Sequence, residues 1–330
     1  MKQNAVRSDI DRVLIIALGS MGDIVLSLAA IEAIRNYHRD AHIVLFTQPG
    51  MKRFLTPCPF IDELVTNWEP HGTGEALNNI GQMQSANFDM VYDLVGNEVT
   101  AAIFKRFWPK KPKWSGVVPN CSHPHIDRMR QKLHLLDRHA EQLWLCGIGP
   151  SQGYSVGASP LPKLNWCEDE IEKSEFGPKS IKLDFPYAII APEGPADEPH
   201  KAWPIGRYIE LAKAVLEMGL KPIIVGGPQA FSMGNGIRGS VPEALDLVTR
   251  LDVFGLIGIM KGASLILGSN SDYTTIGGVL GAPVVSIINP VGANIKTLAP
   301  RGPLTVSLVA RDFKDIRIDQ VMAAARAVME

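Results

Sequence analysis

Short apolar runs alternate with segments of helical spacing along most of the chain. Arg12 to Leu18 is β-branched and leucine-rich, and Ile24, Leu28, Ile31 and Ile34 then recur at helical intervals, so a buried strand leads into a helix from about Gly22 to Tyr37. The same alternation predicts strands at His42–Thr47, Ile61–Thr66, Asp89–Val95 and Trp114–Val118, with helices over Asn97–Phe107 and Asp137–Cys146. Between Gly147 and Asp184 the periodicity weakens and Gly, Pro, Ser and Lys accumulate, which marks an interdomain segment and sets a boundary near residue 180. The alternation restarts with strands at Tyr187–Ala191, Lys221–Val225, Ser264–Gly268 and Pro283–Ile288. Its helices run from Pro204, at the N1 position, to Met218, over Asp252–Gly262 and over Ser271–Leu280; a terminal amphipathic helix, Asp315–Met329, is placed to pack back across the domain junction. Two doubly wound α/β domains with parallel sheets follow, 1–180 and 181–330.

Bulk properties change this picture little. A chain of 330 residues suits two domains of ordinary size, and 46% hydrophobic and 20% charged residues with a net charge of -1 give no basic bias toward nucleic acid. Met1 to Asp11 lacks an apolar signal core, and no apolar run approaches the ~20 residues of a membrane span, so a cytoplasmic protein with at most peripheral membrane contact is expected. Cys58, Cys121, Cys146 and Cys167 form no C-x-x-C pair, consistent with reduced thiols.

The chemistry concentrates where strands hand over to helices. In Leu18-Gly-Ser-Met-Gly-Asp23 the glycines permit close backbone approach, and the helix start offers unpaired N–H groups to a polar substrate beside Ser20, Met21 and Gly22. Asp23 in the first turn is either a proton acceptor at a cleft rim or a plain helix cap. Three loops of the second half, Pro192–Ala202, Gly226–Gly236 and Gly268–Thr275, follow strands and precede helices, and so face one crevice suited to a nucleotide. Gly194, Gly226, Gly227, Asn270, Ser271, Asp272 and Thr275 are its expected lining, with Lys201 placed either to meet phosphate or to sit solvated on the surface. Gly234-x-Gly236-x-x-Gly239 matches a dinucleotide fingerprint in letters, yet follows no strand directly and reads as a loop. Asp9-Ile-Asp11 precedes the first strand, and Cys121, His123 and His125 have zinc-like letters without a second matching pair, so no metal is expected. Lys105-Arg-Phe-Trp-Pro-Lys-Lys-Pro-Lys113 mixes cations with aromatics and suits an anionic acceptor or headgroup interface, Lys105 and Arg106 foremost, or else is a solvated basic loop.

These blocks together resemble a known family. Val13-Leu-Ile-Ile-Ala-Leu-Gly-Ser-Met-Gly-Asp23, Phe88-Asp-Met-Val-Tyr-Asp-Leu94, Asp137-Arg-His-Ala-Glu141, Lys201-Ala-Trp-Pro204, Val225-Gly-Gly-Pro228 and Gly281-Ala-Pro-Val-Val285, in this order, resemble glycosyltransferase family 9, the lipopolysaccharide heptosyltransferases of bacterial envelopes. The resemblance implies a GT-B architecture, two Rossmann-like domains facing across a cleft, the first for the acceptor and the second for the nucleotide sugar. It implies inverting transfer without a metal or other cofactor, from a nucleotide diphosphosugar, ADP-heptose by resemblance, to an anionic glycolipid acceptor. Asp23 matches the family's proposed base and Lys201 its diphosphate-binding lysine.

The chain departs from the family pattern at one place in particular. Relatives carry Asp-Ser-Gly with a histidine three residues beyond the glycine, whereas this chain reads Asn270-Ser271-Asp272 and then Thr275; Gln229 also stands where relatives carry an acid. Retained Asp23 and Lys201 favour an enzyme, and the altered positions favour a non-catalytic relative that binds glycan or nucleotide. A nicotinamide oxidoreductase would need a fingerprint that Gly19-Ser-Met-Gly22 does not supply.

Overall fold

The computed structural model describes residues 10–66, 85–107, 111–150, 155, 157–192, 203–289 and 295–330. The chain divides into two compact units, Met1–Pro162 and Lys163–Glu330.

In the N-terminal unit the strands are β1 (Arg12–Ile16), β2 (His42–Phe46), β3 (Glu63–Val65), β4 (Met90–Asp93), β5 (Lys113–Gly116) and β6 (His123–Pro124), and the described helices are α1 (Met21–Tyr37), α2 (Lys52–Leu55), α3 (Glu98–Arg106) and α4 (Leu135–Leu145). The sheet runs β3-β2-β1-β4-β5-β6 and is parallel throughout, with Ile15 opposite Leu45 on one side and Tyr92 on the other. A parallel sheet covered on both faces needs apolar residues on both, which is why β1 and β4 read as continuous apolar runs rather than alternating ones. Trp114 of β5 lies edge-on to Phe104 and Phe107, closing the core under α3.

The second unit repeats the plan with β7 (Tyr187–Ala191), β8 (Lys221–Ile224), β9 (Leu245–Asp246), β10 (Leu265–Ser269), β11 (Val284–Ile288) and β12 (Thr305–Val309) in the parallel order β12-β11-β10-β7-β8-β9. Its helices are α5 (Glu168–Lys173), α6 (Ile205–Glu217), α7 (Phe231–Ser240), α8 (Val253–Lys261), α9 (Asp272–Val279), α10 (Ile295–Leu298) and α11 (Ile318–Met329). Val321, Met322, Ala325 and Val328 of α11 bury into the core of this same unit. Two Rossmann-like α/β domains therefore form the chain, as the strand alternation requires.

Several details differ from the sequence reading. The division falls at Pro162 rather than near 180, because the segment beyond it docks on the second unit: a Cβ on Gly258 would meet Ile171 Cγ2 at 2.6 Å, one on Gly255 would meet the Phe176 carbonyl at 2.8 Å, and Ser174 Oγ donates to Asp252 at 2.9 Å. The stretch holding Gly234, Gly236 and Gly239, expected as a loop, is the helix α7. Two of these glycines serve packing: Gly234 faces Asp246 and Val248, and a Cβ on Gly236 would come within 2.5 Å of Ile205 Cδ1. Pro204 is the cap of α6 rather than its first residue, its carbonyl accepting from Arg207 at 2.9 Å. The short strands β6, β9 and β12 went unpredicted, β9 spanning two residues and β12 being half-exposed at the sheet edge.

Candidate active site

In the N-terminal sheet β1 connects through α1 to β2 on one side, while β4 lies on its other side and leads away through α3 to β5. The crevice outside the carboxyl ends of β1 and β4 is thus the topological switch point, where open α/β sheets bind ligands. Two loops form it.

The first loop sets Asp23. Gly19 adopts φ +148, and a Cβ there would lie 2.7 Å from Asp23 Oδ2, so only glycine lets the carboxylate fold back over the turn. Ser20 caps α1 in a reciprocal box: its N–H donates to Asp23 Oδ2 at 3.0 Å, and the Asp23 N–H donates to Ser20 Oγ at 3.3 Å. The Gln48 side chain, after β2, holds the Gly19 peptide at both ends, its amide donating to the carbonyl and its oxygen accepting from the N–H at 3.4 Å. Asp23 is exposed, and among the described residues Oδ1 has no hydrogen-bond partner. The two roles read from sequence are therefore compatible, with one oxygen capping the helix and the other facing solvent.

The second loop was invisible as a site in sequence. Asp93, fully buried at the end of β4, accepts from the N–H groups of Val95 at 3.1 Å and Gly96 at 2.8 Å, while its Oδ2 has no hydrogen-bond partner among the described residues; burial raises its pKa. Gly96, at φ +66, lies against the Arg130 guanidinium, which a Cβ would approach to 2.7 Å. Arg130 is 7% exposed and, among the described residues, its guanidinium makes one side-chain hydrogen bond, at 3.5 Å to the Val95 carbonyl. Arg138 of α4 reaches the Leu133 carbonyl at 3.4 Å and feels the charge of Asp23. Neither arginine has an ion-pair partner among the described residues, and burial lowers the pKa of both, with Arg138 repelling Arg130. Two arginines without an ion-pair partner among the described residues, at the edge that carries the exposed Asp23, have the charge and geometry that charge-assisted binding of an anionic group requires.

Helix α4 braces this edge. His139 Nε2 donates to the Leu94 carbonyl at 3.0 Å, and Gln142 Nε2 donates to the Asp93 carbonyl at 2.9 Å and to Ser115. Burial pushes the His139 pKa down to about 3, so the ring is neutral at ordinary pH. His125 pairs with Glu141 at 3.1 Å and His123 with Ser122 at 2.9 Å, and no group of three or more metal-ligating side chains occurs among the described residues. Lys105 and Arg106, expected near the acceptor, fall in the last turn of α3; that helix starts at the carboxyl edge and runs down, so both sit at the opposite edge of the sheet from Asp23.

In the second unit the equivalent switch point lies between β7 and β10. Asn270, Ser271 and Asp272 form the turn from β10 into α9, with Thr275 one turn on; the Ser271 N–H donates to Thr274 Oγ1 at 3.1 Å and the Asn270 N–H to the Ile287 carbonyl at 2.9 Å. Gly268 packs so close to β7 that a Cβ would sit 2.7 Å from the Ala191 carbonyl. Gly226 and Gly227 follow β8 at the same edge, where a Cβ would strike Ala230 at 2.4 Å and Gln229 at 2.8 Å respectively. Gly194 and Lys201 lie outside the described residues.

Comparison with known proteins gives consistent results. The model of glycosyltransferase family 9 (heptosyltransferase) matches residues 79–292. The chain is 20% identical over 296 residues to lipopolysaccharide heptosyltransferase 2 of Escherichia coli K12, covering 84% of this chain and 83% of that protein. A crystal structure of a family 9 glycosyl transferase from Veillonella parvula superposes with a TM-score of 0.80 at 21% identity, covering 98% and 99% of the two chains. The ADP-heptose heptosyltransferase II of Escherichia coli gives 0.78 at 16% identity, covering 96% and 98%.

Proposed function

The chain belongs to glycosyltransferase family 9, and from that premise we propose that it inverts a sugar's anomeric centre while moving it from a nucleotide diphosphosugar to an anionic, lipid-linked envelope glycan. The observation that supports this reading is that exposed Asp23 shares one switch point with Arg130 and Arg138, which have no ion pair among the described residues.

In this mechanism Asp23 Oδ1 accepts the proton of the acceptor hydroxyl as its oxygen attacks the anomeric carbon, the bond to the diphosphate breaks on the opposite face, and the nucleoside diphosphate leaves with the electron pair. The Ser20 N–H bond to Oδ2 fixes the carboxylate, so the base is oriented before substrate arrives. Arg130 and Arg138 would hold an anionic group of the acceptor, a task the remote Lys105 and Arg106 are poorly placed for. On the donor side, Lys201 and the helix start at Ser271 would neutralise the departing diphosphate, a task that in this scheme needs no metal. Metal-independence, donor identity and the cytoplasmic, membrane-peripheral setting belong to this proposal.

Asp272 favours a second reading. A carboxylate in the first turn of α9 repels a diphosphate unless a sugar hydroxyl or cation meets it, which suits a relative that binds without transferring. Incubation with a panel of nucleotide diphosphosugars and a delipidated acceptor, with and without EDTA, separates the two. Transfer with the anomeric configuration reversed and insensitive to EDTA supports the proposal. Retention of configuration or restoration by Mg²⁺ overturns the mechanism, and binding without turnover selects the second reading.

A further inference from the structure

The turn between β6 and α4 has two faces. Arg130 is buried against Gly96 at the reaction edge, while Ile126 and Met129 are 61% and 56% exposed, well above Tyr37 at 39%, the next large apolar side chain among the described residues of this unit. Arg128 and Lys132 alternate with them, are exposed, and carry no ion pair among the described residues, whereas Lys173, Arg207 and Arg317 elsewhere are each matched to an acid. The one acid of the turn, Asp127, directs its carboxylate to the Met129 N–H at 2.7 Å and so caps the turn. This short stretch therefore presents apolar tips and unmatched cations side by side, on a backbone pinned by the buried Arg130.

We propose that residues 126–132 are a docking element for an anionic bilayer, in which Ile126 and Met129 enter the headgroup and upper acyl region while Arg128 and Lys132 meet lipid phosphates. The chemistry selects this partner: apolar side chains without a matching pocket gain from burial in lipid, and cations without acids gain from a negative surface. A neutral protein groove would leave Arg128 and Lys132 buried without partners. The turn follows β6 at the carboxyl edge, the same edge as Asp23, so docking there would bring the bilayer to the side from which a lipid-linked acceptor must approach. That last step rests on the proposed function; the docking itself does not, and it is measured without donor or acceptor.

The test is co-sedimentation of the full chain with phosphatidylcholine vesicles with and without phosphatidylglycerol. Binding is expected only to the anionic vesicles. Ile126→Ser with Met129→Ser should weaken it at least about tenfold, given the burial gain of apolar side chains of this exposure. Arg128→Gln with Lys132→Gln should weaken it by about fivefold per charge at low salt, an effect that fades as salt is added. Circular dichroism should be unchanged in both variants, since the four side chains are on the surface. Failure of the wild type to bind anionic vesicles, or binding by folded variants equal to wild type, overturns the proposal. Turnover of a delipidated acceptor by the same variants reports separately on the transferase reading and should match wild type.

Discussion

Replacing Asp23 with asparagine removes a charge and almost nothing else. The amide oxygen can still accept the Ser20 N–H that now reaches Oδ2 at 3.0 Å, so the capping box survives; what is lost is the macrodipole's interaction with a carboxylate, about 0.3–1 kcal/mol. Loss of a general base costs about 10²–10⁴-fold in rate, or roughly 2.7–5.5 kcal/mol of transition-state stabilisation. Stability and activity should therefore separate by several kcal/mol. Asp23→Ala supplies the control: it should lose activity to the same extent and also lose the bond from the Ser20 N–H, a further cost of about 0.5–1.5 kcal/mol in urea unfolding, while the Ser20 hydroxyl still caps the helix. The assay is kcat/KM from nucleoside diphosphate release, alongside unfolding midpoints of all three proteins. If Asp23→Asn kept turnover within about threefold of wild type, a range too small for a lost base, the carboxylate would be a helix cap only and the mechanism would fail.

Two further outcomes follow from the bracing of the reaction edge. His139 has a folded pKa of about 3 against 6.5 when free, so between these values the unfolded chain binds a proton that the folded chain does not, and stability should fall as pH drops below about 6.5, by up to roughly 1.4 kcal/mol per pH unit. His38, lowered to about 4 by burial and then by Arg35, acts in the same direction, so His139→Gln should reduce the slope of urea midpoints against pH without abolishing it; equal slopes would refute a buried neutral imidazole at 139. Gly96→Ala forces a side chain into φ +66, about 1–2 kcal/mol unfavourable, and displaces the Arg130 guanidinium, so acceptor KM should rise while donor affinity holds; an unchanged acceptor KM in a folded variant would remove Arg130 from the acceptor site.

Local chemistry made part of this molecule legible in its sequence. The β1 to α1 turn could be placed because a buried apolar run, two glycines and a capping acid fall within a few residues, and each signal is local. Helix α7 could not, because three glycines and weak amphipathic pattern argue against a helix that tertiary packing against Ile205, Asp246 and Val248 nonetheless imposes. Edge strands β9 and β12 are too short or too exposed to carry a buried-strand pattern. Asp93, Arg130 and Arg138 lie on separate elements and come near one another only after the sheet is assembled; the Asp137-Arg-His-Ala-Glu141 block signalled family resemblance without revealing that its arginine lies within electrostatic reach of Asp23. Lys105 and Arg106 looked suited to an anion by composition, but the direction of α3 carries them to the far edge. Linear charge clusters carry no information about which end of a strand they will occupy.

The central claim, that this chain uses a nucleotide diphosphosugar, is tested most directly by calorimetric titration of the purified protein and of Lys201→Ala with adenosine, uridine, guanosine and cytidine diphosphosugars. One donor should bind wild type at micromolar affinity and bind Lys201→Ala roughly ten- to a hundredfold more weakly, the range for a charge-assisted phosphate contact of about 1.5–3 kcal/mol. Absence of binding by every donor to a folded sample, or binding untouched by Lys201→Ala, would contradict the account.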